Sequence, residues 1–76
     1  MKILEAYRGG YQGRPGWWLA LSYDEDGIER LKAAVPASQR TWAAEEKRWW
    51  VADEAVGDVL KVVPSLEAHL RQEPLL

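Results

Sequence analysis

The sequence predicts a small α+β domain of order ββαββα: one antiparallel sheet with helices on one face and a short C-terminal helix. Three observations lead there. Trp17 to Tyr23 alternates in character, Ile28, Leu31 and Val35 recur at helical spacing, and the same succession returns in the second half of the chain. With 76 residues there is material for a single hydrophobic core. Residues 1–76 therefore read as one domain, made of two ββα-like halves, 1–36 and 37–64, plus a terminal helix over 65–72.

Ile3 to Arg8 is compatible with a strand and runs into Gly9-Gly10-Tyr11-Gln12-Gly13-Arg14-Pro15-Gly16, whose turn formers predict a long loop. Along the next strand Trp17, Leu19, Leu21 and Tyr23 share one face, and Trp18, Ala20 and Ser22 share the other. Asp24 or Asp26 caps the first helix and Pro36 stops it. Gln39 to Trp42 and Arg48 to Val51 then form a second hairpin around Ala43-Ala44-Glu45-Glu46-Lys47. A symmetric register sets Trp42 opposite Trp49 and Arg40 opposite Val51, with Thr41 and Trp50 together on the reverse face. Asp53 caps a second helix bearing the stripe Val56, Val59, Leu60 and Val63, which Pro64 closes, and Ser65 caps the terminal helix through Leu66 and Leu70. The two halves resemble each other: Trp17-Trp18-Leu19-Ala20 leads to Leu31-Lys32-Ala33-Ala34-Val35-Pro36, and Trp49-Trp50-Val51-Ala52 leads to Leu60-Lys61-Val62-Val63-Pro64. Glu73-Pro74-Leu75-Leu76 reads as a frayed end.

Composition narrows the function. Cysteine is absent, so disulfides and thiolate chemistry are excluded, and with no phenylalanine the five tryptophans and three tyrosines supply the large apolar area of the core. The net charge is −2, but residues 1–23 and 37–51 carry +2 and +1, whereas residues 24–36 and 52–76 carry −2 and −3. Strands are basic and helices acidic. Glu5 interrupts the apolar run that a secretory signal would need, and no apolar stretch approaches the roughly 20 residues that span a bilayer. A soluble, cytoplasmic chain without a membrane partner is expected.

Catalysis is not expected. His69 stands alone near the C-terminus, and nucleophile elbows, phosphate loops and metal-binding histidine pairs are missing from the sequence. Asp24-Glu25-Asp26 and Asp53-Glu54 sit where helix N-termini favour carboxylates, so neither a metal nor a cofactor is expected. The tryptophan pairs point to binding instead, because adjacent strand residues face opposite ways. If the helices cover the face of Leu19, Leu21 and Val51, the open face carries Trp18 and Trp50, with Arg48 two residues away. Rings beside guanidinium groups can stack bases while neutralising phosphates. The expected contact residues are Trp18, Arg40, Lys47, Arg48 and Trp50, for single-stranded or junction DNA. Tryptophan, tyrosine and arginine equally suit a protein-binding adaptor, such as a small phage or bacterial regulator docking on a larger enzyme. A further placement packs Trp18 and Trp50 under the Gly9–Gly16 loop, under the terminal helix or in a dimer interface.

From Ile28 to Leu60 the chain resembles the HARP domain, an accessory module found beside the motor of annealing helicases. The resemblance rests on a helix ending near a proline, an Arg-x-aromatic hairpin with a tryptophan on its return strand, and a following helix. The matching residues are Leu31, Val35, Pro36, Arg40, Trp42, Lys47, Trp49, Val51 and Leu60. Family members usually place Asp after the first aromatic, and this chain has Ala43 there. The resemblance implies a module that recognises forked or single-stranded DNA and leaves catalysis to a separate motor.

Overall fold

A computed structural model describes residues 2–71. Strand β1 (Ile3–Arg8) pairs antiparallel with β2 (Gly16–Leu21), helix α1 (Glu25–Ala34) follows, and the second hairpin is β3 (Arg40–Ala43) with β4 (Arg48–Ala52). Helices α2 (Val56–Val62) and α3 (Leu66–Arg71) complete the chain. The predicted α+β class and element order are those observed. Position 72, assigned to the terminal helix, and the tail Glu73-Pro74-Leu75-Leu76 lie outside the described residues.

The strand order is β1-β2-β4-β3, so the second strand of each hairpin is central. Where they meet, Trp17 pairs with Val51, Trp18 with Trp50 and Leu19 with Trp49. That register is symmetric: Trp17 corresponds to Trp49 and Leu19 to Val51 in the two halves, so a pseudo-twofold axis passes through the Trp18–Trp50 pair. The predicted register of the second hairpin is also observed, with Arg40 opposite Val51, Thr41 opposite Trp50 and Trp42 opposite Trp49.

Paired residues on antiparallel strands share a face. Trp17, Leu19, Trp49 and Val51 therefore face one way, and they form the main core with Ile3, with Leu31 of α1 and Val35 just after it, with Val59 and Val63 around α2, and with Leu66 of α3. Each buried leucine- or valine-sized side chain contributes roughly 1.5–3 kcal/mol, so this helix-covered face supplies most of the fold's apolar stabilisation.

The helix starts differ from one another. Asp24 caps α1 as expected, accepting a 3.0 Å hydrogen bond from the Gly27 N–H. Asp53 does not cap α2. A short 3-10 turn over Asp53–Ala55 intervenes, and the Asp53 carboxylate instead accepts a 2.6 Å bond from Arg8 across the end of the sheet. Asp53 is the first residue of that turn, so it stands three positions before Val56 and not next to the helix it was expected to cap. Strand β2 is also shorter than expected, ending at Leu21, so that Tyr23 lies beyond it and is 82 % exposed.

Candidate functional site

The side of the sheet away from the helices holds Glu5, Tyr7, Trp18, Ala20, Thr41, Ala43, Arg48 and Trp50, as their cross-strand pairings require. It is not an open tryptophan platform. The Gly9–Gly16 segment folds back over its centre, and Trp50 is only 1 % exposed. Tyr11 packs on Trp50 with ring centroids 5.4 Å apart and meets Trp18 edge-on at 5.9 Å, while the Arg14 guanidinium lies 5.5 Å from the centre of the Trp50 ring. The indole N–H of Trp50 donates to the Gly9 carbonyl at 3.0 Å. Trp50 therefore does not join an open face but takes the other placement the sequence offered, under the Gly9–Gly16 loop: a fully desolvated indole needs a hydrogen-bond acceptor and apolar cover, and the loop provides both.

Local chemistry explains how a glycine-rich loop becomes a lid. Gln12 and Gly13 both take positive φ, 52° and 80°, the pairing used by tight two-residue hairpin turns. Tyr11 and Arg14 close that turn with reciprocal backbone bonds of 2.9 and 3.0 Å. Gly16 permits the close approach beneath: a Cβ there would fall 2.6 Å from the Trp50 ring. Arg14 then anchors the turn by donating to the Ser38 carbonyl at 2.8 Å.

What remains accessible on this side is a rim of aromatic and basic groups. Tyr7 is 44 % exposed, Tyr11 and Trp18 are half-buried, and Arg14 is exposed. Arg48 lies 5.8 Å from the centre of the Tyr7 ring and forms an ion pair with Glu5, which raises the guanidinium pKa above its ordinary value. Lys47 sits at the hairpin turn with φ 56°. The acidic residues Glu25, Asp26, Glu29 and Asp58 belong to helices on the other side of the sheet.

Of the five contact residues read from the sequence, Trp18 and Arg48 belong to this rim, Lys47 is exposed in the adjoining hairpin turn, and Trp50 is the rim's buried support. Arg40 lies on the opposite face, being paired with Val51. Its guanidinium donates to the Val35 carbonyl at 2.9 Å and approaches the Lys32 carbonyl at 3.5 Å, so it satisfies the C-terminal carbonyls of α1. Sequence reading missed Tyr7, Tyr11 and Arg14. The available signal was the Gln12-Gly13 turn, which sets Tyr11 and Arg14 side by side. His69 is half-buried on α3. Among the described residues, no group of three or more His, Cys, Asp or Glu side chains is placed to hold a metal ion, and no helix is long and apolar enough to cross a membrane.

Comparison of the chain with protein-family models, with curated proteins and with solved structures returns no match.

Proposed function

We propose that this chain is a non-catalytic binding module that associates with single-stranded or junction DNA through the loop-covered side of its sheet. One observation carries the reading: Tyr7, Tyr11 and Trp18 present partly exposed rings on the side of the sheet that carries Arg14 and Arg48, away from the acidic helices, with Lys47 exposed in the adjoining hairpin turn. Bases stack on such rings at about 1–3 kcal/mol each, and the cations neutralise phosphates. The residues of the HARP-like pattern support the scaffold more than the contact surface, since Leu31, Val35, Trp49 and Val51 are core residues.

The test is quenching of tryptophan fluorescence by a short single-stranded oligonucleotide at two salt concentrations. With three phosphate contacts, affinity should fall about 20-fold between 50 and 200 mM salt. Trp18→Phe should remove most of the quenching and Trp42→Phe should leave it. Binding that ignores salt, or that survives Tyr11→Ala together with Arg14→Ala in a folded protein, would sink the proposal.

A further inference from the structure

Strand β3 is an outer strand of the sheet, and among the described residues its far side pairs with no other strand. Arg40 gives its backbone N–H to the Ala37 carbonyl, so its pair with Val51 is not one that exchanges ladder hydrogen bonds. Because the two kinds of pair alternate along an antiparallel ladder, Trp42–Trp49 is again of the non-bonded kind, and the N–H and C=O of Trp42 point outward. The Trp42 ring lies on the helix side of the sheet, is 49 % exposed and stands 5.5 Å from the Trp49 ring. With Tyr23, Ile28, Lys32 and Trp49 it lines a groove of about 310 Å³ between α1 and the sheet edge.

We propose that this edge is a second binding site, which accepts an extended peptide segment of a partner protein as a fifth strand beside β3. An apolar side chain of that segment fills the groove and a carboxylate meets Lys32. The outward-facing backbone of Trp42 selects the occupant, since an extended chain supplies the matching donor and acceptor that a helix keeps for itself. Lys32 is the charged residue lining the groove and sets the sign of the neighbouring side chain. A second copy of this chain fits less well. Its own β3, Arg-Thr-Trp-Ala, offers no carboxylate, and a four-residue edge spans only about 14 Å, short of what a stable dimer interface of roughly 800 Å² per partner requires.

The experiment pans displayed short linear peptides against the whole protein, then maps enriched peptides by amide NMR. Expected are sequences with an aromatic or aliphatic anchor next but one to Asp or Glu. Their binding should protect the Trp42 amide from exchange, and should weaken about 30-fold in Trp42→Ala, the scale of a hot-spot residue. Lys32→Glu, a change at an exposed helical position, should also weaken it while preserving the spectrum of the folded protein. Absence of enrichment, equal binding by both variants, or shifts centred on Tyr11 and Trp18 would overturn the proposal. So would a concentration-dependent dimer that Trp42→Ala abolishes, which would assign the edge to a second copy.

Discussion

Trp50 shows how one residue can organise a surface it does not join. Its indole is fully buried, bonded to the Gly9 carbonyl and covered by Tyr11 and Arg14, so truncation removes the support of the whole lid. Trp50→Ala is expected to cost about 3–5 kcal/mol in urea unfolding, the range for a large aromatic in a packed site. Gly16→Ala should act through the same contact, since its methyl group would meet the Trp50 ring and the Val51 carbonyl. A loss of about 1–3 kcal/mol is expected, as for other overpacked sites. Arg40 makes the opposite point. It looks like a contact residue in sequence, yet its guanidinium is engaged with the Val35 carbonyl. Arg40→Ala should lower stability while leaving oligonucleotide affinity unchanged when measured on the folded fraction.

At the scale of elements, the first hairpin, α1 and the second hairpin are readable because their determinants are local. Alternation fixes which residues share a strand face, Asp24 stands at the start of the helical stripe, and Pro36 stands just beyond its end. The register of β3 on β4 follows from a polar turn between two short runs, and Lys47 adopts the positive φ that such a turn needs. Asp53 does not cap because the 3-10 turn Asp53–Ala55 separates it from α2, and its carboxylate pairs with Arg8, distant in sequence. This difference is testable by thermal unfolding: Asp24→Ala should lower the midpoint more than Asp53→Ala. The first removes a helix cap, whereas the second removes a partly exposed ion pair of the kind usually worth less than about 1 kcal/mol.

For the molecule as a whole, the decisive contact is the seam between the halves. Strands β2 and β4 pair along Gly16–Leu19 and Trp49–Ala52, so neither half completes its sheet or its core alone. A single hairpin is marginal in water. Fragments 1–36 and 37–71 should therefore each show disordered amide spectra, with native dispersion only in the intact chain or in their mixture. The same assembly brings Arg14, and Arg48 with its partner Glu5, to one side of the sheet and leaves the acidic helices on the other.

The sequence by itself determined the α+β class, the succession of elements and which residues of each strand share a face. Periodicity and turn chemistry act within a few residues, and they suffice for these features. Tertiary structure decided that the second strand of each hairpin is central, that Trp50 lies beneath the Gly9–Gly16 loop, and that Arg40 serves the end of α1. These outcomes depend on partners far apart in the chain, such as the Trp50 indole and the Gly9 carbonyl, which are 41 positions apart. A buried polar N–H must find an acceptor wherever the fold brings one, and no local pattern states where that will be.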